Sequence, residues 1–431
     1  MGFRVAAISV IILLLMGSII RDLQLIKFFP GDMRNRIVGA RLQKDHKSPY
    51  FYRWQLGDGA RYYNPYGFDS FAASPSTASP FYHLLLYPLT EYPQITINKI
   101  WLVLQYTFWS ICVCICLKMS CTLFQKTGVL IAATVFLFTE GWISLIYFGQ
   151  LYLIVPFLGI TFLYCIRNNN RPVYITIAGI IFIIAVLIRP NFILFFLPFL
   201  LLHKKYSLKY KLLFFTPAII LLACILSSSA QRNLWKDYKR NIDEQIKISY
   251  TGNPTMQINA ADPHYMIFEG IDMYEIQKKN SRLITDNWQN VSFFLLVRDI
   301  FHTKLSVQML IGLFFLLALV MCSGYYFYNQ TKNWNIYSLA LLGFCLYMLC
   351  DIFSPIPRYQ YYAVQWLFPL LVAATIFTPR FWKLYVLLAL ALLLNIINSP
   401  FIKMEHTIGE YLFLISFFCL TLSYTRLKQN I

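Results

Sequence analysis

The stretch Pro30-Gly31-Asp32-Met33-Arg34-Asn35-Arg36-Ile37-Val38-Gly39-Ala40-Arg41 follows the first apolar run by about ten residues and sets one carboxylate beside three guanidinium groups. The spacing of Met33, Ile37 and Ala40 predicts a helix with one apolar side. An aspartate ahead of such a helix is typical of an N-cap, and it could also pair with Arg36 four residues on. A carboxylate that faces a cavity at the membrane surface could instead serve as a general base.

The composition outside that stretch is that of a polytopic membrane protein. Of the 431 residues, 58% are hydrophobic and only 13% are charged, with a mean hydropathy of +0.55. A soluble domain carries roughly 25% charged residues. The apolar runs predict an all-α bundle of about 10–12 transmembrane helices that forms a single membrane-embedded domain, residues 1–431. Pro190 separates the runs at 173–188 and 191–203, which predicts a broken or re-entrant pair.

The positive charges predict the orientation of this bundle. Lys and Arg are enriched in alternate short loops, which places the N-terminus inside and two long loops, residues 21–97 and 229–304, outside. The segment Pro80–Leu89 is too short to span and suits an interfacial helix in the first loop. The net charge of +18 flanks apolar runs, as expected beside anionic lipid, and does not indicate nucleic acid. We expect a multi-pass protein of a bacterial plasma membrane.

Neither a disulfide framework nor a metal site is predicted. All ten cysteines lie in or at the edges of apolar runs, and the long loops contain none. Cys112, Cys114 and Cys116 have no histidine or carboxylate nearby in sequence, so packing explains them better than metal ligation. We expect no metal and no cofactor.

Several side chains near the predicted outer ends of the spans are candidates for a binding site. Arg34, Arg36 and Arg41 could hold a phosphate, or could simply meet lipid phosphates. Arg189 and Asn191 flank the Pro190 break, where a cation lines a cavity or reaches for the interface. Gln150 could bond a ligand or a neighbouring helix.

Aromatic residues crowd the first loop. Their rings could stack on sugars, although an interfacial aromatic belt also explains them. The crowd includes Tyr50, Tyr63, Tyr66 and Phe68.

The order of these features resembles the GT-C superfamily of membrane glycosyltransferases, and in particular glycosyltransferase family 87, whose members include polyprenol-phosphate-mannose-dependent mannosyltransferases. The resemblance extends from the first span to about residue 375. No single motif is specific, and the resemblance rests on the order of the motifs and on their placement relative to the apolar spans. The matching segments are Asp32, Ala40-Arg41, Ser48-Pro49-Tyr50, Ser79-Pro80-Phe81-Tyr82, Tyr87-Pro88-Leu89, Trp101, Gly149-Gln150, Arg189-Pro190-Asn191 and Ser354-Pro355.

The resemblance implies an inverting single displacement with Asp32 as the base and Asp22 as the fallback. The donor would be a polyprenyl-phosphate hexose such as mannose, and the acceptor a hydroxyl of a glycan or glycolipid outside the membrane. The sequence departs from the family in one region, where many members carry a histidine pair after the late Ser-Pro. In this sequence that region contains Arg358, Gln360 and Tyr361 instead, so the identity of the transferred sugar stays open.

Two other classes of protein are alternatives. A lipid-linked-sugar flippase or transporter should carry paired ionisable residues in mid-membrane and repeated halves, and the sequence indicates neither. An O-antigen ligase or polymerase should carry its catalytic groups in a large late loop, whereas the richest loop here is the first.

Overall fold

The computed structural model describes residues 2–27, 31–64, 76–205, 207–251, 267–269, 271–272, 292–329, 334–356, 358–397 and 404–425. These residues are overwhelmingly helical, so the predicted all-α membrane class is confirmed. The only strands among them are Ile267–Phe268 (β1) and Ile271–Asp272 (β2), which pair antiparallel. Pro30, Tyr66 and Phe68 lie outside the described residues.

The helices follow one another with short connections. The first eight are α1 (Gly2–Leu25), α2 (Gly31–Lys44), α3 (Pro80–Leu85), α4 (Gln94–Met119), α5 (Leu123–Phe136), α6 (Glu140–Phe148), α7 (Ile154–Arg167) and α8 (Pro172–Ile188). The others in the described ranges are α9 (Ile193–Phe196), α10 (Leu208–Ser227), α11 (Ser229–Thr251), α12 (Phe293–Phe301), α13 (Val307–Tyr328), α14 (Ile336–Ile352), α15 (Leu367–Thr375), α16 (Trp382–Leu394) and α17 (Glu405–Tyr424).

Several helices are long and apolar enough to cross a membrane. Among the described residues, α4, α10, α13 and α17 meet the length and apolarity that a span needs. A fifth is possible if α5 and α6, bent by 54° at their junction, form one broken span. Four shorter apolar helices cover Ile154–Arg167, Pro172–Ile188, Pro190–Leu202 and Ile336–Ile352. The polytopic class is therefore confirmed, and the number of 10–12 transmembrane helices stays a prediction.

Local sequence explains where the helices near the site begin and end. Ser79 caps α3 by accepting a hydrogen bond from the Tyr82 N–H, and Pro80 follows at the position where proline is tolerated. Gly149 ends α6 in the left-handed region at φ 63°, a conformation that favours glycine. Pro190 ends α8 after Arg189, and a 3-10 turn leads into α9, as predicted for a broken pair.

Helix α2 is polar in composition but buried in the structure. Every residue from Met33 to Gln43 is buried, and Met33, Ile37 and Ala40 are fully so, as the helical spacing predicted. Asp32, in the first turn, is only half-buried. Because buried polar groups are unfavourable without partners, the arginines of α2 must find acceptors in the surrounding elements.

The approach of α9 to α14 depends on a glycine. A methyl group at Gly343 would lie 2.1 Å from the carbonyl oxygen of Phe195, whereas one at Gly312 of α13 would meet nothing within 4 Å. We expect Gly343→Ala to lower stability, because an overpacking cost of about 1–3 kcal/mol exceeds the helix-propensity gain of about 1 kcal/mol. Thermal unfolding of detergent-solubilised protein measures this. Gly312→Ala is the matched control, and equal midpoints for the two variants would contradict the packing shown here.

Candidate active site

The carboxylate of Asp32 is connected to Arg36 through the side-chain amide of Gln150. Arg36 Nη2 donates to Gln150 Oε1 at 2.6 Å, and Gln150 Nε2 donates to Asp32 Oδ2. No ion pair within 4 Å joins Asp32 to Arg36 directly among the described residues. Because a guanidinium can only donate and a carboxylate can only accept, these partners fix which way the amide points.

Gln150 is held rigidly enough to act as a bridge. It is fully buried, and its backbone carbonyl accepts hydrogen bonds from Trp101 Nε1 at 3.1 Å and from Gln105 Nε2 at 3.4 Å. Its own N–H closes the end of α6 on the carbonyl of Leu145 at 2.9 Å. Three family motifs quoted from the sequence, Asp32, Trp101 and Gly149-Gln150, therefore meet in space.

The environment of Asp32 suits a proton acceptor. Burial raises the pKa of its carboxyl group, and the charge of Arg36 and the hydrogen bond from Gln150 offset this only in part. A carboxylate with a raised pKa is a stronger base than an exposed one. Its place in the first turn of α2 keeps the ionised form accessible, because the helix N-terminus favours negative charge.

Asp22, the fallback base, occupies a different environment. It is fully buried in α1 and accepts hydrogen bonds from Arg21 at 2.8 Å, Tyr106 at 2.8 Å and Trp142 at 2.7 Å. With its oxygens occupied in this way, Asp22 joins α1 to α4 and α6 and is a structural residue.

Arg34 and Arg41 do not point toward Asp32. Arg34 donates to the carbonyls of Tyr63 and Ala60, and its Nη1 lies 2.9 Å from the Glu269 carboxylate. Arg41 contacts the other oxygen of Glu269 at 2.7 Å and donates to the carbonyls of Arg61, Thr90 and Tyr92. Their predicted role in holding phosphate remains untested. The contacts are those of a clamp between the two long loops.

Glu269 is central to this clamp. It lies in the turn between β1 and β2, and it also accepts from the N–H of Gln94 at 3.0 Å, at the start of α4. Burial alone would raise its pKa, but Arg41 and Arg34 outweigh that effect and leave the pKa lower than usual.

A second charged cluster surrounds Arg189. Its Nη2 pairs with Asp351 Oδ1, and Arg358 Nε contacts the other oxygen of Asp351 at 3.1 Å. Arg358 also pairs with Glu410 of α17, which accepts a hydrogen bond from Trp366 Nε1 at 2.7 Å. The structure thus brings Arg189 and Arg358 together on one carboxylate.

Stacked tyrosines lie between the two clusters. Tyr152 stacks on Tyr361 at 5.6 Å and lies 4.2 Å from Tyr362, between ring centroids. The guanidinium of Arg189 lies 4.6 Å from the Tyr152 centroid. Burial raises the pKa of the Tyr361 phenol, and the nearby charge of Asp32 raises that pKa further.

The other predicted ligand-binding residues are placed less centrally. Tyr50 is fully buried, donates to the carbonyl of Ala78 at 2.8 Å, and supports the loop rather than facing an opening. Tyr63 is buried against Trp54 at 5.1 Å. Asn191 forms a side-chain hydrogen bond with Cys350 of α14. Gln360 begins the 3-10 segment that carries Tyr361.

Sequence reasoning grouped Arg36 with Arg34 and Arg41, and it did not assign Tyr152, Tyr362, Asp351 or Glu410 to the site. The helical repeat contained one usable signal, because residues four apart lie on one face and residues seven apart lie nearly in line. That spacing pairs Asp32 with Arg36 and sets Arg34 and Arg41 together on another face. The partners on α14 and α17 had no such local signal.

A small apolar cavity of about 10 Å³ lies beside α2 and α4, lined among others by Met33, Trp101 and Gly149. It has room for about one water molecule, so it is not a sugar site.

The middle of the chain matches the model of a known protein family. Residues 77–267 match the family described as glycosyltransferase family 87. The matched region contains Gln150 and Arg189, and it excludes Asp32, Arg36 and Arg358. The crystal structure of the Archaeoglobus fulgidus oligosaccharyltransferase in the apo form aligns with 92% of this chain and 52% of its own chain, at 14% identity and a TM-score of 0.36. This chain thus spans about half the length of that protein. No curated protein matches the chain.

Removing the Glu269 carboxylate should destabilise the clamp between the loops. Glu269→Gln leaves the buried Arg34 charge without its ion pair, and we expect a loss of about 1–3 kcal/mol in the free energy of unfolding. Because its pKa is lowered in the folded protein, this contribution is present above the ordinary carboxyl pKa and is lost as the pH falls through the lower folded value.

Thermal melts at neutral pH and near pH 4 measure this effect. The control is Glu244→Gln, which removes an exposed ion pair with Lys247 and should cost less than about 1 kcal/mol. Equal losses for the two variants would show that Glu269 does not clamp the loops.

Proposed function

We propose that this chain is a membrane glycosyltransferase of family 87, whose model matches residues 77–267, and that it transfers a hexose from a polyprenyl-phosphate sugar to a hydroxyl of a glycan or glycolipid. The proposal places the reaction on the outer face of a bacterial plasma membrane. The observation that carries it is the Asp32–Gln150–Arg36 arrangement, which holds a half-buried carboxylate of raised pKa opposite a second cationic cluster.

The attacking hydroxyl would give its proton to Asp32 as its oxygen bonds to the anomeric carbon. The bond from that carbon to the phosphate oxygen breaks with its electron pair, and the lipid phosphate departs. Phosphate is a weak base, so it needs no proton donor to leave. One carboxylate is therefore sufficient, and the configuration at the anomeric carbon inverts.

We assign the departing phosphate to Arg189. Its Nε is buried and has no hydrogen-bond partner among the described residues, while Asp351 holds the guanidinium through Nη2. A preorganised N–H donor at the point where negative charge develops is an effective way to stabilise a transition state. Arg358 would support it through their shared contact with Asp351. This assignment replaces Arg34 and Arg41, whose donors are engaged by Glu269 and by loop carbonyls.

The sugar would lie against the tyrosines between the two ends. The faces of Tyr152, Tyr361 and Tyr362 suit the C–H faces of a hexose ring. Such packing is tolerant of hydroxyl configuration, so the proposal names the class of sugar and not its identity.

The charged cluster on α14 and α17 does not favour a transporter. Coupling sites of transporters lie near the bilayer midplane. Asp351 is the penultimate residue of α14, and Glu410 lies in the second turn of α17, so both lie near helix ends.

Asp32→Asn should lower kcat for sugar transfer by about 10²–10⁴-fold, the range expected for loss of a general base. The assay follows transfer from a polyprenyl-phosphate hexose by purified protein in detergent. Asp45→Asn is the matched control, because Asp45 is a first-loop carboxylate paired with Arg61 and Tyr62 away from the site. Wild-type turnover by Asp32→Asn would refute the assignment of the base.

The pH dependence of transfer tests the same carboxylate. Asp32 must be ionised to act, so activity should fall on the acid side at a pH above that of an ordinary aspartate. Gln150→Glu removes a hydrogen-bond donor and adds a like charge, which should move the acid limb of kcat/KM upward by about one pH unit. Gln150→Leu should move it less, and an unmoved limb in Gln150→Glu would exclude Asp32 as the titrating base.

A further inference from the structure

Arg36 has two buried N–H groups that the protein does not use. Its side chain is 6% exposed, and Nη2 donates to Gln150 Oε1 at 2.6 Å. Among the described residues, neither Nε nor Nη1 has a hydrogen-bond partner. Buried guanidinium N–H groups without an acceptor are unfavourable, so the arrangement indicates a place for a ligand that accepts hydrogen bonds.

Two neighbouring polar atoms on α3 share this condition. The hydroxyl of Tyr82 and the Nδ1 of His83 are buried and have no partner in the described part of the chain. Arg36 is close enough for its charge to act on both rings. Burial, with the Arg36 charge, lowers the pKa of His83 to about 3, so this imidazole is neutral at physiological pH. Apart from the Asp32 carboxylate beyond Gln150, these neighbours of Arg36 are neutral, and a cation among them is suited to a single anionic group.

The position of Arg36 relative to the base decides which substrate would carry that anion. One amide side chain separates Arg36 from Asp32, so a group bound to Arg36 lies beside the proton acceptor. In an inverting displacement, the attacking hydroxyl and the departing phosphate occupy opposite faces of the anomeric carbon. An anion at Arg36 is therefore on the side of the attacking hydroxyl, and the donor phosphate belongs at Arg189.

We propose that Arg36, with Tyr82 and His83, binds a phosphate or carboxylate group of the acceptor, which makes the acceptor an anionic glycan or glycolipid. This inference rests on the proposed function for its assignment to the acceptor. The anion site itself is inferred from the atoms of Arg36, Tyr82 and His83 that are unpaired among the described residues and does not depend on the proposed function.

Equilibrium binding to detergent-purified full-length protein tests the site. Inorganic phosphate is the probe, with farnesyl phosphate at saturation to occupy the donor site. We expect phosphate to bind wild-type protein under these conditions, and Arg36→Gln to weaken it at least about tenfold, as for loss of a charged hydrogen bond. Arg36→Lys should retain part of the affinity, which separates lost charge from misfolding. Arg53→Gln, an exposed arginine in the same loop, should bind phosphate as wild type does.

Competition distinguishes the two sites. If farnesyl phosphate displaces inorganic phosphate, or if Arg36→Gln and Arg53→Gln bind phosphate equally, the separate acceptor site is overturned. Arg189→Gln should weaken farnesyl phosphate and leave phosphate binding intact. If farnesyl phosphate binds no variant while phosphate binding still depends on Arg36, the proposed donor is wrong and the anion site stands.

A pair of glycosides tests the assignment to the acceptor. Methyl glucuronide and methyl glucoside differ in one carboxylate, and we expect wild-type protein to bind the glucuronide at least about tenfold more tightly. Arg36→Gln should remove that preference by weakening the glucuronide alone. Equal binding of both glycosides to wild-type protein would overturn the proposal of an anionic acceptor.

Discussion

Burial of a polar helix is the constraint on which the rest of this structure depends. Helix α2 carries three arginines into the protein interior, and each must find acceptors that the helix itself cannot supply. Arg34 and Arg41 are satisfied by Glu269 and by loop carbonyls, which draws residues of both long loops onto one face of α2. Arg36, on another face, is satisfied only in part, through Gln150. The division of labour among three identical side chains follows from their angular positions on the helix.

At each end of the site an acid is linked to an arginine, Arg36 or Arg189, that keeps N–H groups without an acceptor among the described residues. At one end, Gln150 separates Asp32 from Arg36, so the carboxylate is not neutralised by a direct ion pair and burial can raise its pKa. At the other end, Asp351 accepts from both Arg189 and Arg358 and fixes their orientation. In the proposed reaction, such a site of balanced charge would hold the donor phosphate through oriented N–H groups rather than through net charge. Such orientation does not need to be created during the reaction.

How far the sequence predicted this arrangement depends on how far apart in the chain the partners lie. The spacing of Met33, Ile37 and Ala40 predicted the buried face of α2, and Pro190 predicted the break after Arg189, because both are local effects. The interaction of Arg41 with Glu269 joins residues 228 positions apart, and nothing near Arg41 reports it. Helical spacing places Arg34 and Arg41 on a different face from Arg36, but the partners of each face could not be predicted without the fold. The apolar runs also did not reveal the 54° bend between α5 and α6, because such a bend leaves the apolar composition unchanged.

The site is assembled from elements distributed along the chain, and this bears on what the family match can explain. Residues 77–267 supply Gln150, Tyr152 and Arg189, the amide bridge, one wall and one cation. The proposed base comes from α2 before this region, whereas Asp351 and Glu410 come from helices after it. Because Glu410 holds Arg358, and Arg358 shares Asp351 with Arg189, α17 is linked to Arg189 through Arg358 and Asp351. Differences in α17 could therefore alter how a donor phosphate is held while the matched region stays unchanged.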